Sequence, residues 1–220
     1  MTERSSALPQ SRATSPGRDL ARRLGPGGAR VASWLFRLVR RFRPVRERVV
    51  IGEFNDHVER EHVARYEFAR SFCLGKKVAD IACGSGYGSE VLRQTASTVH
   101  SYDKELLCGN RTIDLDRESW DEDYDVIVSL ETIEHLERPE FFLANVARTA
   151  KLLIVSTPIG EIPGYNPHHK QVWTLAEFEA LLRRWFEVEF YAQHGDMIRA
   201  GADSDAAFVV AVCRPRLAGR

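Results

Sequence analysis

The pattern of apolar and polar positions changes character near residue 50. Residues 1–30 are rich in Ser, Pro, Gly and Arg and carry no apolar period. Such a makeup buries too little surface to offset chain entropy, so a disordered arm is expected. In residues 31–43, Val31, Trp34, Leu35, Leu38 and Phe42 recur at helical spacing with Arg37, Arg40 and Arg41 between them. This predicts a basic amphipathic helix that Pro44 ends, in a segment taken as 31–50. From residue 51 to 220 the pattern is that of one folded domain. Helices are expected over 56–73, 87–95, 139–149 and 174–185, the last opened by Thr174 with Glu177 three residues on, a capping box. Apolar runs at Val78–Ala82, Thr98–Tyr102, Arg111–Leu115, Tyr124–Leu130 and Leu152–Ser156 read as strands, followed by two more over 186–192 and 206–213. Strands alternating with helices imply an open, mostly parallel α/β sheet covered on both faces, with ligands held at the carboxyl ends of the strands.

Composition fits one globular domain: 220 residues, 44% hydrophobic and 28% charged. No apolar run reaches the roughly 18 residues a membrane-spanning helix needs. The four cysteines show neither a CxxC nor a zinc-ligand spacing, so a disulfide scaffold is not expected and the chain reads as cytoplasmic and reduced. No internal repeat is visible, which sets aside solenoids and propellers. The formal charge is zero, but residues 1–50 carry twelve Arg against three acids, +9, which leaves −9 for residues 51–220. Two readings of the 31–43 helix stand side by side. It lies on an anionic membrane as a peripheral contact, or it packs on the domain as a lid. Nucleic-acid contact and a targeting segment are the further options for the arm.

The most informative stretch is Val78-Ala79-Asp80-Ile81-Ala82-Cys83-Gly84-Ser85-Gly86-Tyr87-Gly88-Ser89. Glycines let a backbone turn sharply beneath a ligand, and the next helix offers free N–H groups. A dinucleotide fingerprint requires Gly-x-Gly-x-x-Gly, and its third position here is Ser89. Asp103 closes the second strand, 17 residues past Gly86, where an acid can accept both hydroxyls of a ribose.

This arrangement resembles motif I of the class I S-adenosylmethionine-dependent methyltransferases, an acid followed by Gly-x-Gly-x-Gly, with Ala82 at the first glycine position. The resemblance continues through Glu61–Ala69, Tyr124–Glu131, Ser156-Thr157-Pro158 and Asn166-Pro167-His168-His169, covering about residues 56–195. It implies a Rossmann-like sheet with an antiparallel C-terminal edge and S-adenosylmethionine as cofactor. By the same resemblance Asp80 helps hold the cofactor's amino group, Gly84 and Gly86 pass under its methionine part, and Ala82, Tyr87 and Leu130 also bind the cofactor. Asp103 then takes the ribose and Asp114 the adenine end. One departure stands out. Only 21 residues separate Asp103 from Asp125, so the second crossover is shortened.

Methyl transfer asks for alignment of nucleophile, methyl and sulfur, and a hydroxyl acceptor also benefits from a base. Glu131, Glu134 and His135 follow the fourth strand and so stand at the carboxyl rim, on one face if the turn is helical. Three uses compete. His135 acts as base, oriented by Glu134; or Glu131, Glu134, His135 and His169 hold a divalent ion such as Mg or Mn; or the group only caps a loop. His168 is read as a loop residue, Asp121-Glu122-Asp123 as a solvated turn, the isolated His57, His62, His100 and His194 as lacking a special role, and Cys83 as small packing. The favoured function is O-methylation of a sugar, glycan, glycolipid or small-metabolite hydroxyl. A metal-dependent RNA 2′-O-methyltransferase and a non-catalytic binding module of the same fold are the alternatives. The acidic domain argues against a nucleic-acid partner. Oligomeric state leaves no mark in the sequence.

Overall fold

The computed structural model describes residues 50–53 and 56–216. The arm at 1–30 and the helix expected at 31–43 lie outside the described residues. Element order is α1 (Asp56–Arg70), β1 (Lys77–Ile81), α2 (Tyr87–Arg93), β2 (Thr98–Asp103), β3 (Arg111–Thr112), β4 (Val126–Leu130), a 3₁₀ turn (Ile133–His135), α3 (Pro139–Thr149), β5 (Leu153–Pro158), α4 (Leu175–Arg183), β6 (Phe186–His194), β7 (Met197–Ala200) and β8 (Phe208–Pro215). The eight strands form one sheet in the order β3-β2-β1-β4-β5-β8-β6-β7. The first five are parallel, and β8 joins β5 antiparallel in a ladder from Leu153–Cys213 to Pro158–Phe208. Strand order therefore reverses between β1 and β4, which opens a crevice at their carboxyl ends.

Side chains alternate between two cores, as a two-sided sheet requires. Val78, Val126, Val128, Ile154 and Val210 face one layer with Tyr66 and Ala69 of α1 and Leu92 of α2. Ala79, Ile127, Val155 and Ala211 face the other, with Phe142 and Leu143 of α3 and Phe178 and Leu182 of α4. The expected capping box is present: Thr174 Oγ1 accepts the Glu177 N–H at 3.2 Å, and Glu177 Oε2 accepts the Thr174 N–H at 2.8 Å.

The shortened crossover holds no helix. Residues 104–110 connect β2 to β3 directly, and the two pair only through Tyr102–Arg111 and Asp103–Thr112. Because β3 starts beside the carboxyl end of β2, the chain need not travel back along the sheet. That removes the usual need for a long crossover between parallel neighbours. The third strand is accordingly two residues long, where the sequence suggests Arg111–Leu115. β7 escapes sequence reading because it is a short, largely exposed edge strand.

Asp121 and Asp123 are exposed, as a solvated run requires, but Glu122 between them is tied into the fold. Its carboxylate lies 2.6 Å from Arg111 Nη1 and 3.0 Å from Lys77 Nζ, and accepts the Tyr124 hydroxyl at 2.8 Å. Against a burial penalty, these donors hold it down to about 2.

Candidate active site

A cavity of about 610 Å³ occupies the crevice beyond β1 and β4. Among the residues named from sequence, Ala82, Gly84, Tyr87, Asp103, Asp114, Leu130, Glu131, Glu134, His135 and His169 line it. Asp80 and Gly86 do not.

The floor is the turn after β1. Ala82 adopts a left-handed conformation at φ 60, as do Gly84 at φ 56 and Gly86 at φ 85. A side chain added at Gly84 would meet nothing within 4 Å, so that face is open to a ligand. Gly88 serves a different purpose. A Cβ there would sit 2.0 Å from the Tyr66 ring, so this glycine lets α2 close on α1. Tyr66 in turn explains Asp80, which is fully buried behind the turn. Its Oδ1 accepts the Tyr66 hydroxyl at 3.2 Å and its Oδ2 the Ser89 hydroxyl at 2.6 Å. Burial pushes Asp80 up to about 6 despite those donors. Its place in the structure is a brace beneath the turn, with both oxygens engaged by the protein.

Asp103 stands at the wall. Its Oδ2 accepts the Gly84 N–H at 2.9 Å and its Oδ1 the Glu105 N–H at 3.2 Å, which ties the end of β2 to the glycine turn. Asp114 follows β3 and faces Lys104 Nζ at 3.3 Å, both on the cavity wall.

The rim beyond β4 carries the reactive groups. Glu131 is left-handed at φ 54, an unusual conformation for a side-chain-bearing residue. Its N–H donates to Ser156 Oγ at 3.1 Å, and Ser156 Oγ donates to Glu131 Oε1 at 2.7 Å. Behind it lies Arg65, fully buried, with Nε 4.0 Å from Glu131, Nη1 donating to Gln193 at 2.7 Å and the guanidinium 4.5 Å from the Phe208 ring centre. Burial raises Glu131, and the Arg65 charge opposes that rise.

Glu134, His135 and His169 converge, with ligand-capable atoms within 4.8 Å of one another. The segment carrying His169 is brought over by Lys170 and Gln171, whose N–H groups donate to the Glu134 carbonyl at 2.8 and 2.9 Å. Glu134 is 1% exposed; its Oε2 accepts the Thr157 hydroxyl at 3.2 Å, while its buried Oε1 has no hydrogen-bond partner. Burial, reinforced by the charges of Glu131 and Glu161, pushes this carboxyl well above the usual range. His135 Nε2 and His169 Nε2 each lie 4.0 Å from Glu134 Oε1. His135 Nδ1 sits 3.1 Å from the His168 carbonyl, which can only accept, so Nδ1 carries the proton and Nε2 the lone pair. His169 Nδ1 faces Glu161 at 2.5 Å, and its Nε2 accepts from Asn166 at 2.8 Å. Glu131 stands apart from this trio, held by Ser156.

Residues to which sequence reasoning gave no role in the site also line the cavity: His62, Glu161, Asn166, His168 and Phe208. His62 is pushed down to about 3 by burial and by Arg65, so it is a neutral wall residue. Its signal was present in the helix at 61–69, where it sits one turn from Arg65. Glu161 had none, because only folding brings it to His169.

The comparisons agree with this geometry. A family model described as a methyltransferase domain matches residues 53–202. A protein of Mycolicibacterium smegmatis named as a probable S-adenosylmethionine-dependent methyltransferase is 30% identical over 152 residues, spanning 59% of this chain and 59% of its own. The match thus covers less than two thirds of that relative. Among solved structures, a methyltransferase of Thermotoga maritima described as a possible histamine N-methyltransferase superposes with TM-score 0.58 at 16% identity, covering 72% of this chain and 91% of its own. The small RNA methyltransferase HEN1 superposes with TM-score 0.57 at 22% identity over 80% of this chain and 28% of its own. At such identities the structural matches speak for the fold. The strand order, the glycine turn facing Asp103 and the matched family model lead to one conclusion: the chain belongs to the class I S-adenosylmethionine-dependent methyltransferases.

Proposed function

We propose that the protein transfers a methyl group from S-adenosylmethionine to a hydroxyl oxygen of a sugar, glycan, glycolipid or small metabolite. The observation that carries this reading is the trio Glu134, His135 and His169 at the rim of the cavity, beside the glycine turn. The cofactor, when bound, supplies an activated methyl on a sulfonium; the protein must align the acceptor and take its proton. Gly84 gives the cofactor close access to the backbone, and Asp103 on the cavity wall is the acceptor for the ribose. The His168 carbonyl fixes the tautomer of His135, so its Nε2 can accept the hydroxyl proton. Glu134 Oε1 lies 4.0 Å away; burial keeps this carboxyl largely protonated at rest, and it favours the imidazolium that forms only once it has ionised beside it.

A second reading has its own observation, the orphaned Glu134 Oε1. A buried carboxylate oxygen with no donor, facing two imidazoles, fits a divalent cation of the Mg or Mn class. Glu134 Oε1, His135 Nε2 and His169 Nε2 would hold it, with the Asn166 amide turning aside, and its chemistry would be to acidify the acceptor hydroxyl. The acceptor in that case includes a ribose 2′-hydroxyl. Against RNA stands the lining itself, which carries Asp103, Glu105, Asp114, Asp116, Glu131, Glu134 and Glu161.

Transfer of labelled methyl to a panel of glycans, glycolipids, hydroxylated metabolites and RNA, with EDTA or with Mn, tests both readings. Labelling of a carbohydrate or metabolite hydroxyl that survives EDTA supports the first. Labelling confined to RNA and abolished by EDTA supports the second. Transfer only to nitrogen or carbon acceptors contradicts both.

A further inference from the structure

Two thiols meet at the cofactor turn without any part in the chemistry above. Cys83 is buried between Ala82 and Gly84, and Cys108 is exposed on the connection from β2 to β3. Both are free, with sulfurs 3.9 Å apart. Cys108 is seated there by its surroundings. Its Sγ lies where a side chain at Gly86 would be: an added Cβ would fall 2.6 Å from the sulfur. The loop behind it is pinned by the buried Asn110. The Asn110 Oδ1 accepts the N–H groups of Leu107 at 2.8 Å and Cys108 at 3.2 Å, and its Nδ2 donates to the carbonyls of Glu105 at 2.8 Å and Arg111 at 3.1 Å. The same loop supplies Lys104 and Glu105 to the cavity wall and is rooted at Asp103.

We propose that Cys83 and Cys108 are a redox-active pair that closes to a disulfide with small-molecule disulfides such as oxidised glutathione, clamping loop 104–110 onto the glycine turn and weakening entry of the cofactor. The sulfurs need approach by roughly 1.9 Å to reach a bond of about 2.05 Å, a distance within reach of small side-chain and loop adjustments. The step balances by thiol–disulfide exchange. The Cys108 thiolate attacks one sulfur of oxidised glutathione, breaks its S–S bond and releases the first glutathione thiolate. The Cys83 thiolate then attacks Cys108 in the mixed disulfide and releases the second. The two protein protons end on the two glutathiones, so two thiols are oxidised and one disulfide is reduced. Exposure assigns the first attack to Cys108. Burial, with Asp80 nearby, pushes the Cys83 thiol up and keeps its thiolate scarce, so it reacts only in the second, intramolecular step, where the neighbouring mixed disulfide offsets that scarcity. Cys73 and Cys213 are fully buried and do not compete.

The effect on the cofactor rests on the proposed function; the bridge itself does not. The test equilibrates the full chain over a series of reduced to oxidised glutathione ratios. Peptide mapping reads the bridge, tryptic cleavage after the exposed Lys104 reads the loop, and calorimetry reads S-adenosylmethionine affinity. Expected are a Cys83–Cys108 bridge, slower cleavage at Lys104 and an affinity about tenfold weaker, all reversed by dithiothreitol. Cys83→Ser should stop at glutathione on Cys108, and Cys108→Ser should bind the cofactor alike in both buffers. Glutathione on Cys108 without a bridge in the unaltered chain overturns the pair. A bridge that leaves both affinity and Lys104 cleavage unchanged overturns the clamp. If the reduced protein also fails to bind the cofactor, the methyltransferase reading falls, and bridge formation and Lys104 cleavage still judge the pair and the clamp.

Discussion

At the scale of single residues, the glycine turn separates two demands that look alike in sequence. Gly84 faces open space in a left-handed conformation, whereas Gly88 is small because Tyr66 lies on it. Alanine at Gly88 should therefore cost about 1–3 kcal/mol through overpacking. Alanine at Gly84 should cost about 1–2 kcal/mol through backbone strain alone and should also weaken cofactor binding. Urea denaturation of both variants with a cofactor titration separates the two effects. If Gly88→Ala is neutral in stability, the account of Tyr66 fails. The same reasoning applies at the rim. His135→Ala should leave S-adenosylmethionine affinity within about twofold and lower turnover by roughly 10²-fold or more, the usual contribution of a positioned base. Normal turnover in that variant removes both the base and the cation roles for this residue.

Among the elements, ends matter more than interiors. The capping box at Thr174 satisfies two N–H groups at the start of α4, whose Phe178 and Leu182 are buried. Thr174→Ala should cost about 1 kcal/mol, seen as a melting point lower by about 2–4 °C. Glu122 joins the start of β1, β3 and the approach to β4 through Lys77, Arg111 and Tyr124. Because its folded-state pKa is depressed to about 2, its contribution is present above the ordinary value near 4.5 and is lost as pH falls toward 2. Glu122→Gln should thus be less stable than the unaltered chain at pH 7, with the gap narrowing below about pH 4.5. A gap that is constant with pH would show that charge plays no part.

The regular elements were legible because their apolar positions follow the periods of helices and of buried strands. The capping box was legible because its two residues are fixed three apart. Glu122 was not, since a run of three acids carries no sign of the Tyr, Lys and Arg that converge on one of them. Nor was the separation of Glu131 from Glu134 and His135. The three share a face on a regular helical turn, but Glu131 is left-handed and precedes a 3₁₀ turn, so its side chain goes to Ser156 instead.

For the whole molecule, the parts argue for a single division of labour. The parallel strands end at a crevice, the turn after β1 floors it, Asp103 walls one side, and the Glu134, His135 and His169 trio stands at the other. The second crossover contributes a short loop in place of a helix, which leaves Lys104, Glu105 and Asp114 to form the far wall. No helix among the described residues is long and apolar enough to cross a membrane. The expected peripheral contact through residues 31–43 remains a proposal about the part outside those residues.

The central claim is that this cavity binds S-adenosylmethionine through Asp103 and the glycine turn. Calorimetric titration of the cofactor into the unaltered chain and into Asp103→Ala, each with EDTA and with Mn, tests it directly. The account predicts micromolar binding in the unaltered chain under both conditions, and an affinity about tenfold to a hundredfold weaker in the variant, as expected for loss of a charged acceptor. A folded protein that gives no binding heat, or an Asp103→Ala variant that binds as well as the original, would contradict it.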